Sequence, residues 1–157
     1  MIHITHSTLS HIEGLTALDG HLDQTQMQSK IVAGEVIHAE QGNAIIGILR
    51  YSLFWDQIPF MNLIRILEQH QRQGVGKSLV ATWEQSMAKL GHRYVLTSTQ
   101  SDEQAQHFYR HLGYTDIGGF VIPSEPLEII LHKAIGGIDA SERRKQGVVE
   151  ASCRYIS

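Results

Sequence analysis

One stretch of this sequence restricts the fold more than any other, because it joins a predicted strand to an amphipathic helix through a glycine-rich turn. The turn comprises residues 71–77, and the strand-like segment comprises residues 61–67. At about 100° per residue, the apolar side chains after the turn fall within about 140° of one another on one helical face. They are Val75, Leu79, Val80, Trp83, Met87 and Leu90. A glycine turn at a helix start presents unpaired backbone amides and the positive end of the helix dipole, which is typical of a phosphate-binding site.

The composition is that of an ordinary globular protein. The chain has 157 residues, of which 42% are hydrophobic and 18% are charged, and that length suits one domain with a core of its own. The net charge of −3 gives no electrostatic reason to expect binding to nucleic acid or to a membrane. Because Cys153 is the only cysteine and no signal-peptide pattern is present, we expect a cytoplasmic protein without intrachain disulfides.

The order of the predicted elements favours a mixed α/β domain of the α+β class. The elements are a strand at 2–7, helices at 9–22 and 24–33, strands at 35–40, 44–54 and 61–67, a helix at 75–90, a strand at 94–99, a helix ending at Gly113, and strands at 115–122 and 127–133. Residues 55–59 are predicted to connect two strands, and Ser101 and Gln104 to form a capping box. Hairpins at both ends argue against a doubly wound sheet. We place one domain at residues 1–135 and a C-terminal tail at 136–157.

Two phosphate-binding patterns compete for the glycine turn. Gly76 and Lys77 resemble the end of a Walker A loop, but Gln71 stands where that pattern needs its first glycine. The predicted strand segment 94–97 also lacks the aspartate expected to help hold magnesium. Residues 71–76 match the alternative pattern, Q/R-x-x-G-x-G/A between a strand and a helix, in full. Its glycines let backbone amides approach a pyrophosphate closely, so we favour this pattern over that of a nucleotide hydrolase.

A second motif lies about thirty residues further along the chain. Residues 102–114 are similar to N-x-x-A-x-x-x-Y-x-x-x-G-[FY], with Tyr109 at the tyrosine position and Asp102 in place of the asparagine. Together with the turn and the order of elements, this motif resembles the GNAT acetyltransferase family over roughly residues 2–133. The resemblance implies a mostly antiparallel sheet flanked by helices, with two splayed central strands that admit acetyl-CoA. It also implies an N-acetyltransferase in which a primary amine attacks the thioester directly.

The resemblance further assigns residues to the site. The pantetheine arm of CoA is expected to meet backbone groups of Ile64, Arg65 and Ile66. The pyrophosphate is expected in the turn made by Gln71, Arg72, Gln73, Gly74, Val75, Gly76 and Lys77. Tyr109 is expected to face the coenzyme sulfur and to stabilise the departing thiolate. Asp102 corresponds to an asparagine that contacts the coenzyme, but an ionised aspartate cannot donate a hydrogen bond and can instead cap the helix.

The sequence leaves the proton acceptor open. Thr97 stands where some N-terminal protein acetyltransferases of the family have a catalytic glutamate, which argues against that subclass. Glu68, Asp56 and Glu128 are carboxylates that could reach the cleft, and a chain of water molecules is an equal alternative. A non-catalytic CoA-binding sensor of the same fold is the alternative to an enzyme.

Further expectations concern the acceptor, metals and oligomers. The acceptor is expected to be a small-molecule amine or a peptide amine, bound near the early helices and residues 52–60 and 123–127. No metal site is expected, because His107 and His111 have the i, i+4 spacing of two ligands but no H-E-x-x-H pattern or third ligand accompanies them. Exposed strand edges are compatible with a homodimer.

Overall fold

The computed structural model describes residues 1–136, and the predicted tail from residue 137 onward lies outside the described residues. The strands are β1 (Ile2–His6), β2 (Val36–Gln41), β3 (Ala44–Phe54), β4 (Ile58–Ile66), β5 (Tyr94–Gln100), β6 (Thr115–Phe120) and β7 (Glu128–Ala134). The α-helices are α1 (Ile12–Asp19), α2 (Gln24–Val32), α3 (Val75–Lys89) and α4 (Ala105–His111), and short 3-10 helices lie at Leu9–His11 and Glu68–His70. None of the helices within residues 1–136 is both long and apolar enough to cross a membrane.

The strands form one sheet in the order β1-β2-β3-β4-β5-β7-β6. Neighbouring strands run antiparallel, except that β4 and β5 run parallel at the centre. The prediction of a mostly antiparallel α+β sheet flanked by helices is therefore confirmed. The hairpins predicted at both ends are β2–β3 and β6–β7.

Helix α3 matches its sequence prediction closely. Five of the six side chains assigned to its apolar face are buried in the core, at most 3% exposed. The exception is Leu90, which is 70% exposed because it is the C-terminal cap and lies beyond the last turn that packs on the sheet. The helix is also fixed at its middle, where Glu84 accepts hydrogen bonds from the Tyr114 hydroxyl (2.9 Å) and the Lys133 ammonium (2.7 Å).

The predicted connection at residues 55–59 is too long, because β4 already begins at Ile58 and Pro59 pairs with Leu53 of β3. The two strands are joined by a tight turn in which Trp55 and Asp56 have positive φ angles of 53° and 58°. Such turns usually carry Asn-Gly or Asp-Gly. The turn was missed because Trp-Asp is not that signal.

The predicted capping box is also wrong. Helix α4 has Gln104 as its N-cap, with no hydrogen bond from the cap side chain. The carboxylate that satisfies the local donors is that of Glu103, which accepts from the Thr99 hydroxyl at 2.8 Å and the Gln100 amide at 3.1 Å. Ser101 therefore lies in a turn before the helix instead of at its start.

The sheet separates two apolar clusters. One face packs on α3 and α4 and contains Leu49, Tyr51, Met61, Leu79, Trp83, Val95 and Leu131 among its buried members. The other face packs on α1 and α2 and contains Leu15, Met27, Ile31, Val36 and Ile48. Within β4, Ile64 packs with the first cluster and Leu63 with the second. The central strands are thus covered on both faces.

A bulge in β4 opens the centre of the sheet. Met61 pairs with Tyr51 of β3 and Leu63 with Arg50, which leaves Asn62 as an extra residue in β4. An extra residue bends and twists its strand. Among the described residues, the parallel pairing of β4 with β5 consists of Phe60 with Leu96 and Met61 with Thr97, and so ends just before the bulge. The splayed central strands that the resemblance implied are therefore present.

A buried ion pair fixes the end of α1 against the sheet beside this opening. Asp19 is 0% exposed, and its carboxylate accepts a hydrogen bond from Arg50 Nε at 2.7 Å. The Arg65 guanidinium of β4 donates to the Leu18 and Asp19 carbonyls at 3.1 and 3.0 Å, and so satisfies the last turn of α1.

We expect Asp19→Ala to lower the free energy of unfolding by about 3 kcal/mol, because it leaves the Arg50 charge buried without a partner. The matched control is Asp116→Ala, which breaks the exposed Arg110–Asp116 pair and should leave stability nearly unchanged, since water screens exposed pairs. Urea unfolding of both variants measures the difference. Equal losses in the two variants would contradict the role of the buried pair.

Candidate active site

A groove runs from the splayed ends of β4 and β5 to the start of α3. It consists of two clefts with volumes of about 470 and 560 Å³, which share Ile64, Arg65 and Ala105. The first cleft is lined by Ile64, Arg65, Ile66, His70, Gln71, Arg72, Gly74, Gly76, Lys77, Ala105 and Phe108. The structure thus brings most of the residues assigned to the pantetheine arm and the pyrophosphate into one concave surface.

The glycine turn presents its backbone to this first cleft. Arg72 and Gly74 have positive φ angles of 59° and 82°, so the turn uses the left-handed backbone conformation at two positions before α3 begins. Gly74 is the N-cap of α3, and as a glycine it offers no side chain to the first amides of the helix. Those amides and the positive end of the helix dipole remain available to an anion.

Two side chains of the glycine turn stabilise the loop by donating hydrogen bonds to backbone carbonyls that precede them in the chain. Gln71 donates from Nε2 to the Ile66 carbonyl at 3.0 Å, and Gln73 donates from Nε2 to the Gln69 carbonyl at 2.9 Å. The Val75 side chain is buried in the core, so only its backbone belongs to the turn. Gln73 and Val75 do not line the cleft.

The cleft is narrow and cationic at this end. A Cβ added to Gly76 would lie 3.3 Å from the Phe108 ring of α4, so the absence of a side chain there keeps the wall open. Arg72 and Lys77 line the same surface with their positive charges. An extended ligand with an anionic end fits this combination of charge and shape.

The free edge of β4 forms the floor where the two clefts meet. Residues 64–66 of β4 pair with β3 on one side and, in the described ladder, have no partner on the β5 side. Apart from the Ile66 carbonyl, which accepts a hydrogen bond from Gln71, their backbone groups on that side can therefore bind an extended amide-bearing ligand in the manner of an added strand. The Arg65 side chain is already engaged with the end of α1, so its backbone is the part that faces this ligand.

Tyr109 lies at the inner end of the second cleft, where it is only 5% exposed. Burial raises the pKa of its phenol, an interaction with the Thr97 side chain lowers it in part, and the charges of Glu103 and Glu128 raise it further. The Thr97 hydroxyl also donates to the Met61 carbonyl at 3.1 Å, at the last pair before the strands diverge. Tyr109 is therefore a neutral hydrogen-bond donor at neutral pH.

Two carboxylates line the second cleft, those of Glu103 and Glu128. Glu128 was among the three carboxylates considered from the sequence, whereas Glu68 and Asp56 line neither cleft. Glu103 was missed, because it looked like one more polar residue before a helix. The role of Glu103 becomes visible in the structure, where its carboxylate accepts a hydrogen bond from the Thr99 hydroxyl and so closes the turn before α4.

One segment and one residue that were expected near the ligands lie outside the two clefts. Residues 52–60 lie at the start of β4 and the end of β3, at the opposite end of the sheet from the groove, and line neither cleft. Asp102 is exposed in the turn before α4 and also lines neither cleft. Phe108, which the sequence prediction did not assign to the site, forms part of the wall instead.

Comparison with known families gives one match. The family model described as "Acetyltransferase (GNAT) family" matches residues 10–114, which include β4, the glycine turn and Tyr109. A search of curated protein sequences gives no significant match.

Solved structures share the fold at low sequence identity. The ribosomal-protein-S18-alanine N-acetyltransferase of Escherichia coli is 16% identical with a TM-score of 0.73, covering 89% of this chain and 97% of that one. The PaiA N-acetyltransferase of Thermoplasma acidophilum, in complex with coenzyme A, is 13% identical with a TM-score of 0.68, covering 85% and 99%. The yncA protein of Salmonella typhimurium, with its cofactor acetyl-CoA, is 14% identical with a TM-score of 0.73, covering 89% and 97%.

The burial of Tyr109 makes a prediction about alkaline pH. Because its native pKa is raised, the neutral phenol contributes stability that is present below about pH 10 and is lost as the pH rises through the native pKa. The difference in ultraviolet phenolate absorbance between the wild type and Tyr109→Phe should therefore develop only above about pH 10. A difference with its midpoint at or below that pH would contradict the buried position.

Proposed function

Since the chain belongs to the GNAT acetyltransferase family, we propose that it is an N-acetyltransferase that moves an acetyl group from acetyl-CoA to a primary amine, most simply that of a small molecule. The observation that carries the proposal is the continuous groove joining the glycine turn, the free edge of β4 and Tyr109. A donor held along the first cleft would present its reactive end to the second.

The donor is proposed to bind chiefly through the backbone. The amides of residues 74–77 receive the pyrophosphate, with Arg72 and Lys77 adding charge from the sides. The β4 edge at residues 64–66 pairs with the amides of the pantetheine arm. CoA and acetyl-CoA in the complexes of PaiA and yncA support this choice of ligand.

Acetyl-CoA supplies an activated thioester when it is bound. The neutral amine attacks the thioester carbonyl carbon, the carbon–sulfur bond breaks, and the sulfur leaves as a thiolate. The proton released by the amine passes to water or to a carboxylate of the second cleft. Tyr109 donates a hydrogen bond to the sulfur as its negative charge develops.

Tyr109 is proposed to stabilise the thiolate more than to protonate it early. With ordinary pKa values of about 10 for a phenol and about 8.5 for a thiol, the proton transfer is uphill by about 2 kcal/mol. Burial raises the pKa of Tyr109 and makes the transfer less favourable still. The sulfur then takes its final proton from water or from Tyr109 after the carbon–sulfur bond has broken.

The second cleft favours a cationic acceptor. Glu103 and Glu128 line it together with the polar side chains of Ser98, Thr99 and Gln100. Within residues 1–136, Glu103 already accepts two hydrogen bonds, which leaves Glu128 as the more available carboxylate. Its negative charge attracts a protonated amine and can accept the proton that the amine must lose before attack.

Binding of the donor tests the first half of the proposal. We expect acetyl-CoA and CoA to raise the melting temperature of the full chain, because a ligand that binds only the folded protein stabilises it. Mg-ATP should not raise it, since Gln71 breaks the Walker pattern. Thermal unfolding with each ligand makes the comparison. Stabilisation by Mg-ATP but not by acetyl-CoA would favour a nucleotide-binding protein instead.

Gly74→Ala and Gly91→Ala form a matched pair for this experiment. Both glycines have positive φ angles, 82° and 91°, and a Cβ at either would meet no atom within 4 Å. Both variants therefore carry a similar backbone cost, but only Gly74 lines the groove. We expect Gly74→Ala to weaken acetyl-CoA binding about tenfold, equivalent to about 1.4 kcal/mol, and Gly91→Ala to leave it unchanged.

The chemistry is tested with a panel of amines and detection of the released thiol. For the best acceptor, Tyr109→Phe should lower kcat about 100-fold, the scale of losing one hydrogen bond to a developing anion, with little change in KM for acetyl-CoA. Tyr94→Phe is the control, because Tyr94 is exposed at the far end of β5.

An unchanged kcat in Tyr109→Phe would rule out the catalytic role of that hydroxyl. Binding of acetyl-CoA with no thiol released by any amine would instead support a CoA-binding sensor.

A further inference from the structure

A cluster of metal-ligating side chains lies apart from the groove, on the far side of β3. It consists of His11 in the first 3-10 helix and His38 and Glu40 on β2. One ligand atom from each residue lies within 4.8 Å of the others. Neither cleft of the groove includes any of the three, and the acetyl-transfer reaction does not use them.

The spacing of the donor atoms suits a small divalent cation. His38 Nε2 and Glu40 Oε2 are 3.6 Å apart. Tetrahedral zinc with bonds of about 2.0–2.2 Å places neighbouring donor atoms about 3.3–3.6 Å apart. The rings of His11 and His38 lie with their centroids 4.4 Å apart and their planes tilted by 47°, so both rings border the same point.

His38 carries a buried nitrogen that makes no hydrogen bond. The residue is 0% exposed, and among the described residues its Nε2 makes no hydrogen bond. The other ring nitrogen, Nδ1, lies 2.9 Å from the Ser7 hydroxyl, which fixes the ring in the way that an outer partner orients a metal-binding histidine. A buried polar atom without a hydrogen bond is unfavourable, and a cation held between Nε2 and the Glu40 carboxylate, 3.6 Å away, would satisfy it.

His11 can join through its second ring nitrogen. Its Nδ1 accepts from the Thr8 amide at 3.1 Å and lies 3.0 Å from the Thr8 hydroxyl, which leaves Nε2 for a ligand. A cation on Nε2 would place the ring proton on Nδ1, which could then donate a hydrogen bond to the Thr8 hydroxyl but could no longer accept one from the Thr8 amide. The His11 ring would have to turn away from that amide, which water could then reach because Thr8 is exposed.

Solvent reaches the cluster from one side. An open pocket of about 520 Å³ is lined by His11 and Glu40, with Glu13 and Asn43 close by. The pocket gives an ion a path of entry and leaves room for water as a fourth ligand. Glu13 adds negative charge to this path and favours a cation over an anion.

We propose that His11, His38 and Glu40 form a binding site for a divalent transition-metal ion, with Zn²⁺ as the ion that best suits two imidazoles, one carboxylate and a water. The ion would join the first 3-10 helix to β2 and so fix the N-terminal segment on the sheet. Mg²⁺ is not expected to bind, because it prefers oxygen ligands in octahedral geometry.

Calorimetric titration of the chelator-treated full chain with ZnCl₂ tests the site. We expect one Zn²⁺ per chain with a dissociation constant below about 10 µM, and no binding of MgCl₂. Co²⁺ in place of Zn²⁺ should give the strong visible absorption of a tetrahedral site, which a stability change alone cannot produce. Failure of the chain to bind Zn²⁺ would overturn the proposal and leave the acetyltransferase proposal untouched.

Variants of the two partly exposed ligands separate this site from other histidines. Glu40→Gln and His11→Gln keep the size of the side chains and should each weaken Zn²⁺ binding at least tenfold, the lower end of the loss seen when even an outer-shell partner is removed. The control is His107→Gln with His111→Gln, which removes the i, i+4 pair on α4 and should leave the affinity unchanged. Loss of binding in the control, with Glu40→Gln and His11→Gln unaffected, would move the ion to α4 and overturn the proposal.

Discussion

The feature on which the site depends is the single extra residue in β4. Asn62 has no counterpart in β3, and the parallel pairing with β5 ends at Met61. A continuous ladder would have paired the β4 backbone groups at residues 64–66 with β5 inside the sheet. The bulge instead leaves those groups at an edge and opens a groove through the centre of a sheet that is otherwise hydrogen-bonded from β1 to β6.

The ion pair and the helix positions follow from the same opening. Once β4 diverges from β5, the sheet beside the opening needs other support. Arg50 and Arg65 provide it by attaching the end of α1, one through the buried carboxylate of Asp19 and the other through main-chain carbonyls. On the other face, Glu84 ties α3 to Tyr114 and Lys133, which fixes the direction in which the first turn of the helix presents its amides.

Local sequence patterns predicted most of the fold, and the errors arose where residues far apart in the sequence determine the local structure. The α3 face and the turn at residues 71–77 were readable because a helical period and a glycine pattern are local. The Trp55-Asp56 turn was not, since its positive φ angles are imposed by the pairing of β3 with β4. Glu103 was overlooked because its partners at the end of β5 become visible only in the fold. The cluster of His11, His38 and Glu40 was missed for the same reason, as its members come from separate elements.

In the proposed complex with acetyl-CoA, the groove would contact its ligand mainly with the main chain. Gly74 and Gly76 contribute amides and open space, the β4 edge contributes peptide groups, and Arg65 is occupied elsewhere. A substitution changes the side chain but leaves the backbone amide and carbonyl in place, provided that the backbone conformation does not change. Selection on such a site therefore acts on a few glycines and on the position of one bulge, and it leaves the surrounding sequence free to drift. Two chains could share this binding surface long after their sequences have ceased to look related.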